Sequence, residues 1–232
     1  MSVKTLFLGF LILACQKKTS NIPPVLPVDP VPSGKTWLAL GDSYTIGQGV
    51  TEIERFPYQT ALWLAQNGKA VTIPDYIATT GWTTGVLTNN VISRNPSQYD
   101  IVSLLIGVND QYQTGGDTTN YRERFTNLLQ KAIELAGGNK LHVFVLSIPD
   151  YSVTPFASGS NTALISMQID TFNFINEQVT LEFGVDYTNI TPSTRLALSD
   201  PSLIATDGLH PSAKEYAVWA ALLSPKIKAV LK

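Results

Sequence analysis

Short apolar runs alternate with longer amphipathic stretches along most of this chain. The runs fall at 36–41 (TWLALG), 69–78 (KAVTIPDYIA), 100–106 (DIVSLLI), 141–148 (LHVFVLSI) and 183–188 (FGVDYT). Their length and composition suit strands buried on both faces. Helix-like stretches lie between them at 55–67, 83–93, 119–136 and 161–182, and a last one covers 212–231. In 119–136, Tyr121, Phe125, Leu128, Leu129, Ile133 and Leu135 fall largely on one helical face, and Gly137-Gly138 stops the pattern. Strands alternating with helices predict right-handed crossovers and a parallel sheet covered on both sides. The expectation is therefore one α/β/α sandwich, in which binding groups collect beyond the carboxyl ends of the strands.

The N-terminus breaks the alternation. Lys4 precedes the apolar run from Thr5 to Ala14, which is too short to span a bilayer as a helix. A charge, an apolar core and a small residue follow the order of a signal peptide. Ile12-Leu13-Ala14-Cys15 resembles the bacterial lipobox, in which the cysteine is lipidated and becomes the new N-terminus. A buried N-terminal element with an incidental cysteine is the alternative. Residues 16–35 then hold five of the chain's 14 prolines, which favours a stiff, extended tether over a packed element. The expected organisation is a lipoprotein signal peptide over 1–14, a lipidated Cys15 with its tether over 15–34, and one domain over 35–232. Lipid on Cys15 would make the membrane a partner and place the protein in the bacterial cell envelope.

Composition narrows the chemistry. The 232 residues suffice for one good-sized domain. The charged share of 15% is low against a usual ~25%, and the net charge of −2 gives no positive field for nucleic acid. Cys15 is the only cysteine, so no intrachain disulfide and no thiolate metal cluster can form. The only histidines are His142 and His210, which excludes a poly-histidine metal site. Neither a metal nor a cofactor is expected, and a monomer is.

Four polar blocks sit where predicted strands end. Gly41-Asp42-Ser43 follows the first, Thr79-Thr80-Gly81-Trp82 the second and Gly107-Val108-Asn109-Asp110 the third. Asp207-Gly208-Leu209-His210-Pro211 lies after the fifth, before the last helix. All four fall at one edge of the sheet. They resemble the SGNH hydrolases, the superfamily of GDSL-type esterases and lipases, as Gly-Asp-Ser, Gly, Gly-x-Asn-Asp and Asp-x-x-His in the family's order. The first block reads GDSY in place of GDSL, and the second lacks the asparagine often found before the glycine. The resemblance implies a flavodoxin-like sandwich with a five-stranded parallel sheet and a shallow, exposed catalytic site.

Residue types support the same chemistry. A serine hydroxyl needs a base within hydrogen-bond reach, and an imidazole can take its proton and later give it to the leaving alcohol. His142 lies inside an apolar run and reads as structural, whereas His210 lies in a polar loop ahead of a helix. Ser43 is the candidate nucleophile and His210 the candidate base. Asp207, one turn before it, can hold one ring nitrogen, or else simply shape the turn with Gly208. The nucleophile does not sit in a Gly-x-Ser-x-Gly elbow, unlike that of α/β-hydrolases. Candidate oxyanion donors are the N–H groups of Ser43 and Gly81 and, as in the family, the Asn109 side chain, whose alternative is an Asx turn. Asp42 and Asp110 are expected to support loop backbone, and Trp82 either walls the acyl pocket or packs.

The expected activity is hydrolysis of small carboxylic esters with short to medium acyl groups through an acyl-enzyme. An acetylated glycan, a lysophospholipid or a thioester on the same site is an alternative, as is a silent glycan-binding module. The segments 111–117 and 151–160 are the expected rim of the site, short and mostly polar, with no long apolar insertion to form a lid.

Overall fold

The computed structural model describes residues 34–231. The expected signal peptide, Cys15 and nearly all of the tether lie outside the described residues. Five parallel strands form one sheet in the order β2-β1-β3-β4-β5. They are β1 (Trp37–Gly41), β2 (Asp75–Ala78), β3 (Ile101–Leu105), β4 (Val143–Leu146) and β5 (Asp186–Thr188). Every residue of β1, β3 and β4 is buried, which is why these strands read as unbroken apolar runs.

The long helices are α2 (Phe56–Gln66), α3 (Thr84–Arg94), α5 (Tyr121–Leu135), α6 (Thr162–Glu182) and α8 (Ala213–Val230). α2 packs on α8, while α5 packs on both α3 and α6, so the sheet is sandwiched between two helical layers. On α5 the buried side chains are Tyr121, Phe125, Leu128, Leu129, Ala132 and Leu135, with Ile133 only partly covered. Three short helices were not expected: α1 (Ser43–Ile46), α4 (Val108–Thr114) and α7 (Thr191–Arg195). All three follow strand ends, in segments too short to show a helical period.

β2 is shorter than its apolar run. Pro74 has no N–H to give to a ladder, so the strand starts at Asp75, and Val71 makes only an isolated bridge with Lys35. β1 and β3 are neighbours whose following connections run to opposite sides of the sheet. Their carboxyl ends flank the point where the strand order reverses, where open α/β sheets place their ligand crevice. Among the described residues no helix is long and apolar enough to cross a membrane.

Candidate active site

β1 ends at Gly41, and Asp42 caps the short helix that follows, its Oδ1 accepting the Tyr44 N–H at 3.0 Å. Ser43 therefore stands at the first position of α1, where the strand gives way to the crevice. Its Oγ lies 2.9 Å from His210 Nε2, across 167 residues of chain. The histidine loop is closed by a bridge between Ile204 and Pro211 and by the Ala205 N–H, which donates to the His210 carbonyl at 2.7 Å. The Tyr44 ring packs against the imidazole, with centroids 5.0 Å apart.

Asp207 completes a chain of hydrogen bonds. Its Oδ2 lies 2.7 Å from His210 Nδ1, and its Oδ1 accepts the N–H groups of Leu209 and His210 at 3.0 and 2.9 Å. Burial works to raise its pKa, but these backbone hydrogen bonds and the imidazole outweigh it and hold the carboxyl below the usual carboxylate range. The carboxylate thus both shapes the turn and holds the ring, which joins the two readings of Asp207 into one.

Asn109 lies on the opposite wall, at the start of α4. Its Nδ2 donates to Asp42 Oδ2 at 3.2 Å and to the Trp82 carbonyl at 3.1 Å. Asp42 is fully buried, and burial pushes its carboxyl up to about 7 against the hydrogen bonds from Tyr44 and Asn109. It does more than support loop backbone: it also fixes the plane of the Asn109 amide. Asp110 accepts the Thr84 N–H at 2.8 Å and the Thr84 hydroxyl at 2.7 Å, so it ties α4 to the start of α3. Burial raises its pKa as well. Gly107 precedes α4 with φ +129, and the Tyr121 hydroxyl fills the place a Cβ would take. A side chain there would strain the backbone and push aside that hydroxyl, which donates to Asn176 Oδ1 at 2.9 Å.

Gly81 sits at the surface with φ +82, and its carbonyl accepts the Gln113 side-chain N–H at 3.0 Å. Open space surrounds the point where its Cβ would be, so the glycine answers to the left-handed backbone and not to crowding. Ser43, Gly81, Asn109 and His210 line one cleft of about 180 Å³. Trp82 does not line it. Its ring packs against the core beneath the Arg94 guanidinium, 5.9 Å from the ring centre, and it serves the site through its carbonyl. His142 is structural, its Nδ1 2.8 Å from the Asp100 carbonyl at the far edge of the sheet.

The rim differs from expectation. Tyr112, Tyr151 and Phe156 gather at one end of the cleft, their ring centroids 6.0 to 6.2 Å apart. They come from the segments whose composition reads as mostly polar, but it is the aromatic members that face the site. One signal pointed to Tyr112: it follows Asn109 by three residues, one helical turn. The other end of the cleft is polar, where the Thr80 hydroxyl donates to Gln48 Oε1.

Known proteins resemble this chain in sequence pattern and in fold. A family model described as the GDSL-like lipase/acylhydrolase family matches residues 39–218. No curated protein matches the sequence. Among solved structures, a lipase/acylhydrolase from Enterococcus faecalis superposes with a TM-score of 0.61 at 18% identity, over 85% of this chain and 97% of its own. A variant of Axe2, an acetyl xylan esterase from Geobacillus stearothermophilus, gives 0.61 at 20% identity, over 85% and 96%. The psychrotrophic esterase EstA from Pseudoalteromonas sp., inhibited by monoethylphosphonate, gives 0.60 at 16% identity, over 84% and 97%.

Proposed function

The chain belongs to the GDSL-like lipase/acylhydrolase family, SGNH-type serine hydrolases acting on ester bonds, and from that premise we propose that it cleaves carboxylic esters of short to medium acyl groups through an acyl-enzyme on Ser43. The observation that carries this reading is the unbroken relay from Ser43 Oγ through His210 to Asp207, at 2.9 and 2.7 Å. A serine so placed can pass its proton to Nε2 as it attacks the ester carbonyl, while Asp207 stabilises the imidazolium that forms.

The carbonyl oxygen then becomes an alkoxide and needs donors. The Ser43 and Gly81 N–H groups and the Asn109 amide are the candidates. Both protons of Asn109 Nδ2 are already given to Asp42 and Trp82, at the long end of the normal range. A developing negative charge is a stronger acceptor than the neutral Trp82 carbonyl, so one of those bonds is redirected to it. Asp42 keeps the other and holds the amide in place. Collapse of the intermediate expels the alcohol, protonated by His210. Water then attacks the acyl-enzyme with His210 as its base, and the acid leaves with Ser43 restored.

A silent glycan-binding module on this fold would have no use for the relay, since binding requires neither a base nor an oriented imidazole. We further propose that the protein is anchored through lipid on Cys15. The catalytic reading is tested with Ser43→Ala and His210→Ala, each of which is expected to remove nearly all hydrolysis of a simple ester while far-UV circular dichroism stays unchanged. Full activity in a folded Ser43→Ala variant overturns it.

A further inference from the structure

We infer that the aromatic end of the cleft is an acyl site built for a ring, so that the preferred substrates are esters of a cyclic, flat carboxylic acid of the benzoic type. The inference rests on Ser43 acting as the nucleophile and adds the class of acid that the site selects.

Three observations carry it. The first is the aromatic cluster itself. Tyr112 is 57% exposed and Phe156 48% exposed, although both line the cleft that holds the nucleophile. Large aromatic faces left open beside a reactive group are surface waiting for a ligand. Tyr151 is buried beneath them and meets Tyr112 and Phe156 edge-on, at 75° and 65°. A further ring entering the cluster finds the tilted and edge-to-face contacts that aromatic groups prefer.

The second is that the cluster is fixed in place. The Phe156 N–H donates to the Gly208 carbonyl at 2.9 Å, which fastens the backbone that carries the ring to the loop bearing Asp207 and His210. Asp150, next to Tyr151, is buried and holds Arg195 Nε at 2.8 Å, the Ser166 hydroxyl at 2.6 Å and the Ser152 N–H at 3.0 Å. Tyr112 rides on the same short helix as Asn109. A ring bound here is therefore registered against both the base and the oxyanion donor.

The third is size and polarity. The whole cleft, from the polar end to the aromatic end, measures about 180 Å³, which is room for a small ester bearing one ring and not for a long chain. Its opposite end is solvent-open and polar, with Gln48 and Thr80 both exposed. The alcohol must depart and water must enter before the acyl group is released. The polar end suits that traffic, and the apolar, aromatic end suits the half of the substrate that stays on the serine.

The test uses methyl esters, so that the alcohol is constant and carries no ring. Values of kcat/KM for methyl benzoate, methyl cyclohexanecarboxylate and methyl hexanoate are each divided by the ester's rate with hydroxide. The expected order places benzoate at least tenfold above hexanoate. Cyclohexanecarboxylate level with hexanoate makes aromatic stacking the selected property and supports the inference, whereas cyclohexanecarboxylate equal to benzoate overturns the choice of a flat ring. Phe156→Leu and Tyr112→Leu keep apolar bulk but lose the ring, and each is expected to lower the benzoate-to-hexanoate ratio about tenfold. Both positions are exposed enough for the variants to fold, and Phe156→Tyr is expected to restore the ratio. Hexanoate equal to or above benzoate in the wild type overturns the inference. An unchanged ratio in both leucine variants does so too, as does a variant effect that follows phenyl acetate in place of methyl benzoate, which would seat the ring in the alcohol site. Failure of the underlying mechanism looks different: no ester is hydrolysed, and a fluorophosphonate leaves Ser43 unmodified, which overturns both.

Discussion

Replacing Asp42 by asparagine should remove a specific pH dependence of stability. The wild-type carboxyl is fully buried, and burial pushes it up to about 7, against the hydrogen bonds from the Tyr44 N–H and the Asn109 amide. In an unfolded chain an aspartate titrates near ~3.9. Between those two values the folded protein keeps a proton that the unfolded chain has released, so this group's contribution to stability falls as pH rises from about 4 to about 7. Three units at ~1.4 kcal/mol each put the full effect at roughly 4 kcal/mol, of which about 2–4 kcal/mol is expected. The asparagine side chain of the variant cannot titrate. Glu215 is also raised by burial, but both proteins carry it, so it cancels in the difference; Asp110 repels the Asp42 carboxylate, a smaller cause of the Asp42 shift than burial. Urea unfolding followed by tryptophan fluorescence, at steps between about pH 4 and pH 8, should show the wild type losing stability relative to Asp42→Asn across that range. Parallel curves would refute the view that burial makes Asp42 hold its proton in the folded protein.

Two further outcomes are expected. Asn109→Ala should lower kcat by roughly 10²–10³, the usual effect of losing one oxyanion donor, with KM little changed; a loss confined to KM would make Asn109 a substrate-binding residue instead. The full-length protein expressed in a bacterium should fractionate with membranes and Cys15→Ala should not, while recovery of unmodified Cys15 behind an intact Met1 would rule the anchor out.

Much of the fold was legible because the three central strands are buried on both faces and so had to be apolar throughout. Their ends place Ser43 and Asn109, and the blocks after the two outer strands add Gly81 and His210 at the same edge. His210 stood apart from His142 because one lies in a polar loop and the other in an apolar run. The pairing of Asp42 with Asn109 was not legible. The two are 67 residues apart, and their contact arises only because β1 and β3 are neighbours in the sheet. The aromatic rim was hidden for a related reason. Composition averages over a whole segment, whereas a short helix or turn presents one face to the cleft. In 111–117 and 151–160 the residues lining the cleft are Tyr112, Tyr151 and Phe156. The short helices α1, α4 and α7 have too few residues to express a period.

The central claim is a covalent acyl group on Ser43. Mixing the protein with an activated acetate ester, whose good leaving group makes acylation faster than hydrolysis of the acyl-enzyme, and quenching within the first turnover allows peptide mass spectrometry to find that group. A single acetyl group is expected on the hydroxyl of Ser43, absent from Ser43→Ala and lost when the quench is delayed past several turnovers. Turnover of the ester with Ser43 never acylated, or acetyl carried stably on another residue in its place, would contradict it.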